Sequence, residues 1–295
     1  EKLSLAANGL TDATLAPLLS GLASLPELRS LDLSRNDLDA GGAAALRALV
    51  AARRCALTEL KLRATDVDDD ECRALCEAIS GNPKSKLRRL DLGENLIGLQ
   101  ESRNVANPDY VTGGEALAEA VEHTGTLEFL DCSWNAIRGA SAVALGRSLK
   151  YNNTLIECDL SCNRLGDPGC VAVADALEKN TSLKVLRISR TGVGPKGAFT
   201  LGFSLQHRDQ PLDELDFSGN RVGAVGARSL LRAVRDSRGS LSLDLANCDT
   251  TCKDADVFDD ADPEGESNGA GRSDFATYVE EDAFRRCKNE QRRCS

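Results

Sequence analysis

The chain has 295 residues with a formal net charge of −10, eleven Cys, two His, one Trp and no Met. That acidity argues against nucleic acid or an anionic membrane, each of which would need a basic face, so neither is expected as a partner. No stretch approaches the ~18 apolar residues of a membrane span, and no signal peptide is visible.

In chain order, one signature recurs: L-x-x-L-x-L-x-x-N. It is clearest at Leu28, Leu31, Leu33 and Asn36, at Leu87, Leu90, Leu92 and Asn95, and at Leu212, Leu215, Phe217 and Asn220. The Asn-type position falls at Asn8, Asn36, Thr65, Asn95, Asn135, Asn163, Thr191, Asn220 and Cys248, with spacings of 28, 29, 30, 40, 28, 28, 29 and 28. A fixed period of this size predicts one small unit stacked nine times, and the long fourth interval predicts an insertion at residues 99–112.

Each unit begins with apolar and polar residues alternating, as in Leu31-Asp32-Leu33, which predicts a short strand with one buried face. Seven residues after the Asn comes a small residue, as at Ala43, Cys72, Ala142 and Cys170. Apolar residues follow at +10 and +14, as at Leu46 and Val50, so each second half predicts a helix with one apolar stripe. A Gly usually precedes the stripe (Gly42, Gly113, Gly169, Gly197, Gly226), where a tight turn into the helix is expected. Strands stack ~4.8 Å apart and helices need roughly 10 Å, so the array must curve with its strands inside. Thr and Cys satisfy the loop backbone less fully than Asn, so the third, seventh and ninth loops should be weaker.

The period, the segments "LDLSRN", "CDLSCN" and "LDFSGN", and the connecting "EKNTSLKVL" resemble leucine-rich repeats of the ribonuclease-inhibitor type over residues 1–250. NOD-like receptors and the Ran GTPase-activating protein carry similar repeats. The resemblance implies an α/β horseshoe solenoid, with parallel strands on the concave face and helices on the convex face. The expected organisation is a solenoid over residues 1–252, an acidic and Gly/Ser-rich loop over 253–273, and a capping helix over 274–295. The apolar stripe of that helix is Phe275, Val279, Ala283 and Cys287. The chain starts inside a repeat, so an excised segment of a longer protein is expected.

No catalytic constellation emerges. His123 and His207 fall near helix ends, away from any Ser or Cys nucleophile in this register, and a helix C-terminus favours a cation anyway. The pairs Cys72 and Cys76, Cys158 and Cys162, and Cys248 and Cys252 have i, i+4 spacing and assemble no four-ligand zinc set. The acidic run from Asp254 to Glu266 lacks the Gly and terminal Glu of a calcium loop. Neither a metal nor a cofactor is therefore expected. The odd Cys count and the core positions of Cys132, Cys158, Cys72 and Cys170 imply packing roles in a reducing, cytoplasmic compartment. Asn152 and Asn180 match the glycosylation pattern but lie in the turn before a strand, where modification is not expected.

The x residues around the inner Leu point into the curve. Their central row is Ser4, Asp32, Lys61, Asp91, Asp131, Asp159, Arg187, Asp216 and Asp244. Asp here is habitual for the repeat, so the departures carry the information. The expected partner-binding residues are Lys61, Arg63 and Arg89; Phe129, Asp131 and Trp134; Glu157 and Asp159; Arg187 and Arg190; and Glu214 and Asp216. Trp134 has two open dispositions: an exposed hot spot, or a residue covered by the insertion through Val105, Pro108 and Tyr110. The expected function is a non-catalytic protein-interaction module, a segment of a larger intracellular sensor or scaffold. It would bind its protein partner on the concave face and insertion edge, and positively charged segments suit the acidic background. The alternatives are a GTPase-regulating repeat protein, a structural component of a large assembly such as a cilium, or a direct nuclease inhibitor.

Overall fold

In the computed structural model, residues 1–252 are described apart from 24, 26, 101–106, 108, 238 and 239. The chain divides into compact units Glu1–Asp254 and Ala255–Ser295. The expected acidic loop and capping helix lie outside the described residues.

Each repeat contributes one three-residue strand and, through the eighth, one helix. In order these are β1 (Lys2–Ser4), α1 (Asp12–Leu22), β2 (Ser30–Asp32), α2 (Ala40–Ala51), β3 (Glu59–Lys61), α3 (Asp69–Ser80), β4 (Arg89–Asp91) and α4 (Gly113–His123). There follow β5 (Phe129–Asp131), α5 (Gly139–Ser148), β6 (Glu157–Asp159), α6 (Gly166–Leu177), β7 (Val185–Arg187), α7 (Pro195–Gln206), β8 (Glu214–Asp216), α8 (Gly223–Asp236) and β9 (Ser242–Asp244). All nine strands form one parallel sheet in sequence order. No strand slips: Leu3, Leu31, Leu60, Leu90, Leu130, Cys158, Leu186, Leu215 and Leu243 sit side by side. A one-residue slip would turn this buried row outward, so the hydrophobic pattern holds the register.

The core lies between sheet and helices. Leu33, Leu62, Leu92, Cys132, Leu160, Ile188 and Phe217 extend the buried strand row, and Cys72, Leu75 and Ile79, or Ala198, Leu201 and Leu205, meet them from the helices. The Gly before each stripe has a different role from the expected tight turn. Gly113, Gly197 and Gly226 lie inside helices without positive φ, where a Cβ would come within 2.8 Å of Asp69 Cα, 2.7 Å of Asp167 Oδ1 and 2.6 Å of Ala198 Cβ, respectively. They let adjacent helices approach. The left-handed turns into helices use other glycines, including Gly139, Gly166 and Gly223.

At the strand-exit edge a ladder of buried Asn side chains joins the repeats. The Asn95 amide donates to Leu62 O (2.7 Å) and Leu92 O (2.9 Å), and its Oδ1 accepts from Thr65 N and Val67 N. Asn36, Asn163 and Asn220 bridge in the same way. The expected weakness of the substituted loops takes a specific form. The Thr65 and Thr191 hydroxyls donate within their own repeats, to Leu62 O and Ile188 O, and so do not reach the preceding repeat. Just before each Asn-type position stands a residue with positive φ: Ala7, Arg35, Ala64, Glu94, Trp134, Cys162, Arg190, Gly219 and Asn247. Its N–H donates to the next strand's exit, as from Trp134 N to Ser161 O at 2.8 Å.

At the strand-start edge a second ladder runs through Asn82, Asn152 and Asn180. Asn180 donates to Leu149 O and Asn152 O and accepts from Ser182 N and Leu183 N. Asn152 and Asn180 are each 3% exposed, so in the folded chain neither amide is available to a glycan. Arg208 takes the Asn place one repeat later. It is buried, donates Nη2 to Leu183 O (2.7 Å), and leaves Nε and Nη1 without partners among the described residues. Burial lowers its pKa to about 10.

Candidate partner-binding surface

The strand-exit turns place three side chains per repeat on the open side of the sheet, because the alternation that buries the central Leu turns its neighbours outward. Most Asp of the middle row are engaged locally. Asp32, Asp91, Asp131, Asp159 and Asp216 each accept the N–H two residues on, at 2.8–3.0 Å. This Asx-type bond is the physical reason for the recurring Asp, and it explains why the acidity is background. Burial pushes the Asp91 and Asp159 carboxyls above their ordinary pKa range.

Two of the basic departures, Arg63 and Arg187, are each paired with several carboxylates. Arg63 lies across repeat four, reaching Asp91 (3.5 Å), Glu94 (3.2 Å) and, one repeat further, Asp131 (3.0 Å). Gly93 makes the space: a Cβ there would sit 1.9 Å from Arg63 Nη1. Arg187 is held from both sides by Glu157 and by Glu214 (3.0 Å). Burial opposes its charge, but the two carboxylates outweigh burial and hold its pKa above the ordinary value. Lys61 pairs with Glu59 (3.5 Å), and Arg89 lies 4.0 Å over the Phe129 ring. Arg190 is exposed and forms no ion pair among the described residues.

Trp134 is 55% exposed at the strand-exit lip. The described part of the insertion packs on α3 instead. Tyr110 donates to Gln100 Oε1 (3.0 Å) and Asp70, and Arg73 lies 5.5 Å from its ring centroid. Val105 and Pro108 lie outside the described residues. The base of the insertion is held by Asp69, a fully buried carboxylate that accepts from Gly98 N (3.0 Å), Gln100 N (2.8 Å) and Gly113 N (2.8 Å). Both ends of the loop therefore close on one side chain. Asp167 does the same for Gly194 and Gly197. Sequence reasoning missed both, although each Asp stands four residues after its Asn-type position, a register shared by repeats three and six. Beside Asp69, Glu71 caps α3, and burial together with its bond to Asp68 raises its pKa to about 7. Leu96, Leu99 and Val111, on the same edge, are also exposed. Repeats four and five thus concentrate apolar surface around a fixed loop base.

An open groove of about 570 Å³ at the strand-start lip is lined by Arg29, Glu59, Arg88, Arg89 and Glu128, among others. Charged side chains dominate its lining, and Arg88 pairs with Glu128 at 2.6 Å. His123 and His207 cap their own helix ends by bonding Glu119 O and Phe203 O. Among the described residues no group of three His, Cys, Asp or Glu is arranged to hold a metal, and no helix is long and apolar enough to cross a membrane.

A sheet of in-register parallel strands backed by one helix per repeat defines a leucine-rich-repeat solenoid. The family model for the leucine-rich repeat matches residues 25–46, 151–174, 179–202 and 209–231. The ribonuclease inhibitor of Sus scrofa is 36% identical over 98 residues, 33% of this chain and 21% of that protein. The ribonuclease inhibitor of Mus musculus is 34% identical with the same coverage. The chain thus spans about a fifth of the length of these curated relatives. An internalin from Listeria monocytogenes aligns over 79% of this chain and 65% of its own, at 16% identity and a TM-score of 0.45. The protein is a leucine-rich-repeat protein of the ribonuclease-inhibitor type. Proteins of this repeat class generally mediate protein–protein interaction.

Proposed function

We propose that the protein is a non-catalytic interaction module that binds a protein partner across the open sheet face and the insertion edge of repeats four and five. The observation that carries this reading is Trp134: a large aromatic side chain, 55% exposed, on a backbone fixed by the strand-exit ladder. Exposed aromatics on rigid frames are the usual anchors of interfaces, because they cover much area and lose little freedom. The neighbouring Leu96, Leu99 and Val111 extend its apolar contact toward the insertion. Phe129 adds a second aromatic ring, and Lys61, Arg63, Arg89, Asp131, Glu157, Asp159, Arg187, Arg190, Glu214 and Asp216 supply the polar surround. Arg63 and Arg187 serve mainly to hold that surface rigid. The nine described cysteines are free thiols, which suits a reducing cytoplasmic setting and a larger intracellular sensor or scaffold.

Affinity capture from the source cell with the wild-type chain and with Trp134→Ala tests the reading. Truncation of a hot spot costs about 2 kcal/mol or more, so the partner should be lost. Capture of the same partner by both proteins would overturn the reading.

A further inference from the structure

The strand-exit lip changes sign along the solenoid, with Trp134 at the change. Repeats two and three present Asp37, Asp39, Asp66, Asp68 and Asp70 there, with Arg35 and Arg73 as the opposing charges, Arg73 being paired to Asp70 at 2.8 Å. Repeats five, six, seven and eight present Arg138, Arg164, Arg190 and Arg221, while the acid of repeat six, Asp167, is taken up by the Gly194 and Gly197 N–H groups.

The arginines form one arc. Arg138 and Arg164 are bridge partners in adjacent repeats, with Arg164 N bonded to Ile137 O at 2.9 Å. Arg190 leans over Gly219, where a Cβ would lie 2.7 Å from Arg190 Cγ, and so points toward the turn that carries Arg221. Among the described residues Arg138, Arg164 and Arg190 make no ion pair, and Arg221 reaches Asp249 only at 4.0 Å. By contrast, Arg63 and Arg187 on the sheet floor are held by acids of neighbouring repeats. The same chain therefore neutralises its floor arginines and leaves its lip arginines open.

We propose that this arc, together with Trp134, binds a short acidic peptide segment of a protein partner. The inference deepens the interaction-module reading and rests on it. Carboxylates of the segment would pair with Arg138, Arg164, Arg190 and Arg221, and an apolar residue at its end would cover Trp134. Guanidinium groups suit this role because their planar fork takes a carboxylate in two bonds. Length follows from the spacing: three strand intervals of about 4.8 Å span about 14 Å, which four or five extended residues cover. A long polyanion fits less well. It would run from the arc onto the acidic turns of repeats two and three, or onto the floor carboxylates Asp159 and Asp216, where like charges repel it.

The test uses the full chain and its single Trp as reporter. A hexaglutamate peptide ending in phenylalanine should shift Trp134 emission saturably, and added salt should weaken the response. The matching hexalysine peptide should leave emission unchanged. Arg164→Glu with Arg190→Glu should weaken binding of the acidic peptide by about tenfold, whereas Arg164→Lys with Arg190→Lys should retain most of it. If the first double variant fails to fold, Arg221→Glu at the other end of the arc should show a smaller loss in the same direction. The proposal is overturned by no response to the acidic peptide, by an equal response to the lysine peptide, by undiminished binding in the Glu variants, or by tighter Arg-dependent binding of polyuridylate. Capture experiments separate it from the broader reading: a partner lost with Trp134→Ala but kept with Arg164→Glu and Arg190→Glu retains the module and removes the acidic ligand.

Discussion

The two edges of the sheet use the same asparagine chemistry, yet they respond differently when that asparagine is replaced. At the strand-exit edge, Thr65 and Thr191 are fully buried, and each hydroxyl finds a carbonyl in its own repeat. At the strand-start edge, Arg208 fills the Asn place with a longer cation and leaves two buried donors without partners among the described residues. A replacement is absorbed when it is smaller and can turn inward to the nearest carbonyl. It is not absorbed when its added polar atoms exceed the acceptors in reach, because desolvated donors go uncompensated.

Four substitutions would break or sharpen this comparison. The largest effect is expected for Asn95→Ala, which leaves the buried Thr65 and Val67 N–H groups without an acceptor and removes one of the donors to Leu62 O and Leu92 O; urea unfolding should show a loss of about 4 kcal/mol. A loss below about 1 kcal/mol would mean that water replaces the ladder. Asn180→Ala removes a similar set, but some of its partners are half-buried, so a loss of about 3 kcal/mol is expected in the same assay. Arg208→Asn should act with the opposite sign and raise stability by about 1 kcal/mol, since it restores the amide and removes the unpaired donors. A destabilised Arg208→Asn would show that the guanidinium has partners in solution. The smallest effect belongs to Glu71→Gln. Because the folded-state pKa of Glu71 is raised to about 7, the folded chain holds the proton more tightly than the unfolded one, and stability declines as pH climbs from its ordinary value through about 7. The Gln variant should therefore melt slightly higher than wild type near pH 8, by less than about 2 °C, and equally below about pH 4, under the unfolded-state pKa. An unchanged difference between the two pH values would remove Glu71 as the titrating group.

Most of the solenoid was legible because its signals are local and repeated. The apolar strand centres, the helix stripe and the Asn position each recur within one unit, and nine copies agree. What stayed hidden depends on partners in other units. Asp69 looks like any first-turn acid until Gly98, Gln100 and Gly113 are seen to converge on it from 29 to 44 residues away. Asn152 and Asn180 read as turn residues because their acceptors lie one repeat back. Gly197 and Gly226 suggest turns because the helix they touch is not adjacent in sequence. On the candidate surface, Arg187 stands out as a departure from Asp, yet its pairing appears only when Glu157 and Glu214 are aligned one row across. The exposure of Trp134 depended on where the insertion folds, which neither composition nor spacing determines.

The left-handed residue before each Asn-type position governs how this surface can diversify. A β-branched side chain resists positive φ, whereas Gly and Asn accept it readily. Variation at positions 94, 134, 162 and 190 is thus filtered by the backbone before any partner selects among the survivors. Valine or isoleucine there should be costly even where it would improve contact. A library built on this lip would be best limited to unbranched, aromatic and Asn-type residues, and its losses to misfolding should concentrate in the branched codons.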